Sequence, residues 1–280
     1  MPDDVAWNTP ATGYEASIYR STPLILWVSL ISSVIAGIAI VLASITKNKL
    51  DHSYLWKIGF LLVFISYTVC LALFIIRGYY MWCLSGDPAT HIGWIKETLT
   101  SGHTPIVVIH PITHIYISDI ILITDLDLVF LHKIIPVIFS ILFILYMYVF
   151  ARTIFHNTAA ALIVGIISCT SFRTDFYLNL APNGLSDLLL PLVLFVIFKC
   201  MYQRCMAWAV PRSIQVILYP VFHPVPTMFI ALVLLTLWIP NTILRIAQSI
   251  HGRRKTLYNL ENYQYKIIRP LLTLLTWFLF

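Results

Sequence analysis

PLILWVSLISSVIAGIAIVLASI, residues 23–45, carries no charged side chain. As a helix it extends roughly 34 Å at 1.5 Å per residue, enough to cross the hydrocarbon of a bilayer. LWKIGFLLVFISYTVCLALFII, residues 55–76, follows the same pattern. Lipid offers no partner for free backbone N–H and C=O groups, so apolar blocks of this length read as spanning helices.

The rest of the chain agrees. Of 280 residues, 59% are hydrophobic and 11% charged, against about 25% charged in a soluble domain. Such a chain has too little polar surface to cover itself in water. Further apolar blocks run over Leu128–Ala151, Thr158–Phe172, Leu185–Met201, the shorter Met206–Tyr219, and Pro226–Leu244. An eighth opens at Pro270 and is still apolar at Phe280. The expected fold is all-α: a polytopic transmembrane helix bundle of about seven to eight spans. Its expected parts are a tail over 1–22, two spans within 23–76, a large outer loop over 77–126, and a bundle over 127–280. A span from Pro270 is too short as it stands, so the domain is expected to continue and the chain to be an N-terminal fragment. No cleavable signal peptide is expected, because the first block is too long and lacks a basic leader. Cys70, Cys83, Cys169, Cys200 and Cys205 show no metal spacing, and no structural disulfide is expected.

The net charge of +6 does not gather into a nucleic-acid patch. Lys47, Lys49, Lys57, Arg152, Lys199, Arg204, Arg212 and the cluster from Arg245 to Arg269 all fall in alternate loops. By the positive-inside rule those loops are cytoplasmic. The N-terminus, the 77–126 loop, the 173–184 break and His223 are then outside, at the cell membrane.

Polar residues that need explaining cluster on that outer side. Asp87-Pro88 reads as a helix start, with Asp suited to the cap and Pro to the first turn. The helix runs to about Ser101, and Gly102 stops it. Ile92, Ile95 and Leu99 recur at helical spacing, so it is expected to lie flat on the membrane surface. Asp87 is either only a cap or a general base. His91 follows it by four residues and shares its face. A second helix starts at His110-Pro111, with His114 on the face of His110. Two histidines at this spacing ligate metals in some proteins, but the zinc-protease glutamate is missing, so no metal site is assigned. Asp125-Leu126-Asp127 is either a divalent-ion pair or negative charge at a helix start, and a divalent cation stays open as the one cofactor. Lys133 either snorkels or meets an anionic headgroup. Arg173 either pairs with Asp175 or Asp187 or meets a lipid phosphate. Asn183 reads as a helix cap. His223, in an outer turn, is expected to face a protein interior or a cavity. Tyr79, Tyr80, Trp82 and Trp94 read as interfacial belt residues. No Walker loop, dinucleotide fingerprint or nucleophile elbow is present.

The run GDPATHIGWIKE, HPITHIYISDIILIT and LHKIIPVIFSILFILYMYVFARTIFHNTAAALIVGIIS resembles the first half of the GT-C membrane glycosyltransferases, which include protein mannosyltransferases and aminoarabinose transferases. The shared layout is an acidic residue in the first outer loop, then a Pro-x-x-His helix. A span ending Ala-Arg-x-hydrophobic-Phe follows, then a small-residue span. NLAPNGLSDLLLPL is similar to the family's next outer break, and GYEASIYRSTP to the N-termini of large archaeal membrane proteins of this type. The likeness covers about residues 80–235. This chain has two spans before the acidic loop where the family usually has one, and Asp87-Pro88 where it has Asp-Glu.

The resemblance implies transfer of a sugar from a polyprenyl-phosphate donor to an acceptor on the outer face, with inversion. Asp87 is implied as the catalytic base. His91, His114 and His223 are expected to position acceptor or phosphate, and Arg173 and Lys133 to bind the lipid phosphate. The expected partners are the lipid-linked sugar, the bilayer, a protein or glycolipid acceptor, and a second chain completing the domain. A transporter or flippase, suggested by prolines near span ends, and a non-catalytic scaffold are the alternatives.

Overall fold

The computed structural model describes residues 17–47, 50, 54–78, 87–170, 178, 180–203 and 206–251. The described residues form helices joined by short turns and loops, with no strand among them. The chain divides into two units, Met1–His223 and Pro224–Phe280. The first holds α1 (Ile18–Ser21), α2 (Leu24–Thr46), α3 (Leu55–Ile76), α4 (Asp87–Ser101) and α5 (Ile112–Thr124). It continues with α6 (Leu128–Phe155), α7 (Thr158–Thr170), α8 (Pro182–Gln203) and α9 (Met206–Phe222). The second holds α10 (Pro224–His251).

Among the described residues, four helices are long and apolar enough to cross a membrane: α2, α3, α6, and α8 over Pro182–Cys200. The block at Thr158 forms α7, whose 13 residues reach about 20 Å, less than the roughly 30 Å of hydrocarbon. The block at Met206 forms α9, with 17 residues and internal Pro211 and Pro220. The block from Pro226 lies within α10, and the one from Pro270 lies outside the described residues.

Helix α6 is the centre of the first unit and packs against α3, α7 and α8. Its buried side includes Leu131, Ile135, Phe143, Met147 and Phe150. Pro136 inside it cannot bond the carbonyl of His132, one turn back. The helix ends are closed by short polar residues. Asp125 closes α5 in the left-handed region at φ 56°. Asp127 opens α6, its carboxylate accepting the Phe130 N–H at 3.0 Å. Both residues of the Asp-x-Asp sequence therefore stand at helix ends, Asp125 through its backbone and Asp127 through its carboxylate. His156, at φ 50°, ends α6, and Asn157 accepts the Ala159 N–H at 2.8 Å to start α7. At the far end of α3, the buried Arg77 guanidinium donates to the Ser21 carbonyl and ties α3 to α1.

A cluster of Ile95 (α4), Ile117 (α5), Leu128, Leu131 and Ile135 (α6), Leu180, and Leu185 (α8) joins the outer helices to the spans. Ile92 and Leu99 pack against it. This corrects the expectation for α4. Its apolar face, with Ile95 fully buried, packs on protein and does not lie on a membrane surface.

Helices α2 and α3 pack through two glycines. A Cβ on Gly37 would stand 2.6 Å from the Gly59 carbonyl oxygen, and one on Gly59 2.8 Å from that of Gly37. Small residues let spanning helices approach this closely where no hydrophobic drive separates lipid from protein. Gly93, on α4, has nothing within 4 Å of such an atom. Gly37→Ala is therefore expected to lose about 1–3 kcal/mol by overpacking. Gly93→Ala is expected to gain up to about 1 kcal/mol by helix propensity. Thermal unfolding in micelles reads both. Equal melting temperatures for the two variants would contradict the glycine contact.

Candidate functional site

A cleft of about 230 Å³ opens beside the N-terminus of α8 and the C-terminus of α9. Asp87, His91 and Trp94 of α4 line it, with Val107–His110 of the connecting loop and His114 of α5. Pro182 and Asn183 of α8, and His223 just after α9, complete it. Four elements distant in sequence thus meet at one end of the spanning helices.

Each side chain is placed by local structure. Asp87 is the first residue of α4, and its side chain is 66% exposed. One turn on, His91 turns inward and is buried. His91 Nδ1 and His114 Nε2 lie 2.9 Å apart. Trp94 stands edge-on to both rings, at 5.2 Å from His91 and 5.6 Å from His114. His114 is 1% exposed, and its Nδ1 has no hydrogen-bond partner. The Tyr219 hydroxyl donates to the Ser186 carbonyl at 2.6 Å, fixing the end of α9 against α8. That places His223, whose ring centroid is 5.1 Å from that of His110.

The chain Asp87–His91–His114 therefore descends from the cleft mouth to its floor. Asp87 Oδ2 is 3.6 Å from His91 Nε2, an electrostatic contact longer than a hydrogen bond. The carboxylate favours a proton on His91 Nε2, which makes Nδ1 an acceptor for the His114 Nε2–H. His114 Nδ1 is then a bare, buried acceptor, which costs about 1–3 kcal/mol.

The histidines are held neutral. Burial lowers the pKa of His91, and Asp87 opposes that shift. Burial lowers His114 from 6.5 to about 4, with His91 pushing the same way. The His110 backbone pulls weakly upward without meeting hydrogen-bond geometry at Nδ1. His223 is lowered first by burial, then by His110 and His91, against the pull of Asp87. Lowered to about 4, His114 stays neutral near pH 7 and serves His91 as a hydrogen-bond partner.

The structure brings Asp87, His91, His114 and His223 into one cleft. Lys133 lies half-buried on α6 and is not among the cleft residues. The reason is helical phase, since His132 takes the inward position beside it and is fully buried. Arg173, Asp175, Tyr79, Tyr80 and Trp82 lie outside the described residues. Trp94, read from sequence as an interfacial belt residue, lines the cleft. Its signal was its spacing, three residues after His91 on one helix face. His110 and His114 do not act as a pair, because His110 precedes α5 and meets His223 instead. Asn183 stands in the first turn of α8, accepting the Gly184 N–H at 2.9 Å. Among the described residues, no three His, Cys, Asp or Glu side chains are grouped as metal ligands.

Comparison with protein-family models, curated proteins and solved structures gives no match for this chain.

These shifts carry a pH dependence. Between about 6.5 and the lowered values, the unfolded chain binds more protons than the folded one, so stability rises with pH. Acidification from pH 7 towards 4 is expected to lower the melting temperature. His114→Gln, which removes the group held at about 4, is expected to flatten that fall. A wild-type melting temperature that holds steady to pH 5 would contradict this, as would an unchanged slope in the variant.

Proposed function

We propose that this chain is a membrane glycosyltransferase of the GT-C type, acting on a polyprenyl-phosphate-linked sugar at the outer face of a cell membrane. One observation carries the reading: a water-exposed carboxylate, Asp87, stands at the mouth of a histidine-lined cleft, beside helices apolar enough to cross a bilayer. A cleft of about 230 Å³ is smaller than the roughly 300–1,000 Å³ of drug-sized ligand sites. It suits one small polar head whose apolar remainder stays in lipid. The basic loops support a topology with the N-terminus and this cleft outside. Seven crossings satisfy that alternation if α7, α9 and α10 join the four, and the apolar block at Pro270 would supply an eighth.

In this mechanism Asp87 takes the proton of the acceptor hydroxyl as that oxygen bonds to the anomeric carbon. The bond from that carbon to the lipid phosphate oxygen breaks on the opposite side, and the phosphate leaves with its electron pair. Configuration inverts. His91 orients Asp87 from behind, and His114 holds the tautomer of His91. No lysine or arginine is among the described cleft residues. Charge developing on the phosphate is then met by His110 and His223, and by the backbone N–H groups at the start of α8.

Asp87→Asn tests the assignment, because Asn caps a helix about as well as Asp but takes no proton. Transfer from labelled polyprenyl-phosphate sugars to membrane acceptors is expected to fall by about 10²- to 10⁴-fold, with the melting temperature unchanged. Transfer at the wild-type rate removes Asp87 from the chemistry. Absence of transfer by the wild-type protein from every polyprenyl-phosphate sugar offered removes the whole reading.

A further inference from the structure

Helix α5 is inside out for a helix in water. Its buried face carries Thr113, His114 and Ser118 beside Ile117. Its outward face carries Ile115, Tyr116, Leu122 and Ile123, the last two 72% and 82% exposed. A helix bathed in water turns its polar side outward. The loop before it shows the same reversal. The Val108 N–H donates to the Pro105 carbonyl at 2.9 Å, closing a turn with Ile106 and Val107 at its tip. Turn tips in water are built from Gly, Asn, Asp, Ser and Pro. Here Ile106 is fully exposed, and Val107 and Ile109 nearly so. From Thr98 to Ser118 the chain has no Asp, Glu, Lys or Arg.

Helix α4 marks the contrast. Its outward residues include Lys96 and Glu97, and Ser101 and His103 bond one another at its exposed end. Water therefore suits α4 and lipid suits α5, although the two helices pack together. Asp119 shares the outward face of α5. A carboxylate there is incompatible with the bilayer centre and compatible with the headgroup boundary, where Tyr116 also belongs.

We propose that residues 106–109 and the outward face of α5 are inserted into the bilayer at the headgroup–hydrocarbon boundary. The occupant of this surface is the lipid that surrounds the neighbouring apolar helices, so the bilayer contact continues from the spans onto the loop. Val107, Val108 and Ile109 also line the cleft. One wall of the cleft is thus a thin apolar partition with lipid behind it, and Asp87 opens to water on the other side. The insertion does not rest on the glycosyltransferase reading.

The test places an environment-sensitive fluorophore on Ile106→Cys, and separately on Lys96→Cys, in protein whose native cysteines are replaced, reconstituted in phosphatidylcholine vesicles. Emission at 106 is expected to shift to the blue relative to 96. It is expected to be lost to lipid-borne nitroxide and kept in aqueous iodide, with the reverse at 96. Iodide quenching at 106 equal to or above that at 96 overturns the proposal. If the cysteine-free background fails to fold, a photo-crosslinking amino acid at 106 in the otherwise native chain gives the same decision. Adducts with phospholipid support the insertion, and their absence at 106, with a position on α2 such as Ile35 labelled by lipid in parallel, overturns it.

Discussion

Burial of Ile95 and Ile117 against the ends of α6 and α8 is the contact on which the cleft depends. Neither side chain has any exposed surface, and burial of each contributes about 1.5–3 kcal/mol. Helices α4 and α5 are short, and an isolated helix of such length is marginal. Their apolar anchors give them a fixed place. His91 lies one turn before Ile95, and His114 lies three residues before Ile117. Docking these isoleucines therefore sets the two rings 2.9 Å apart. His223 follows Phe222, which packs on the same cluster. One apolar knot holds three histidines from three helices.

What that arrangement yields is a gradient of exposure along a short chain of groups. Asp87 stands at the exposed mouth. His114 sits on the floor, where burial opposes a charge. The carboxylate and the two rings thus differ in role by depth, although all are ordinary titratable side chains. Trp94, edge-on to both rings, fills the space that water would otherwise occupy.

Much of this was legible in the sequence, and the reasons are physical. Apolar blocks of more than twenty residues with few or no charges announce spanning helices, and α2, α3 and α6 stand where composition puts them. Asp87-Pro88 and His110-Pro111 mark helix starts that the structure contains. What was not legible is the partner of each face. Ile92, Ile95 and Leu99 show that α4 has an apolar side, but periodicity does not distinguish lipid from protein as the surface it meets. Lys133 and His132 are neighbours in sequence, and only the packing of α6 decides which one turns inward. Trp94 looks like any aromatic residue near a membrane until His91 and His114 are seen on either side of it. The His91–His114 contact spans 23 positions, and no local rule reaches that far.

The paired glycines of α2 and α3 make that hairpin conditional on its solvent. In water a helical glycine costs about 1 kcal/mol relative to alanine, partly because bare peptide groups prefer hydration to the helix. Hydrocarbon removes that competitor, since an unpaired peptide group has nowhere to go. The same bareness then becomes the means of contact, with each carbonyl seated where the other helix lacks a side chain. The sequence that packs most tightly in the bilayer is, at these two positions, the one least suited to hold its shape before it arrives there.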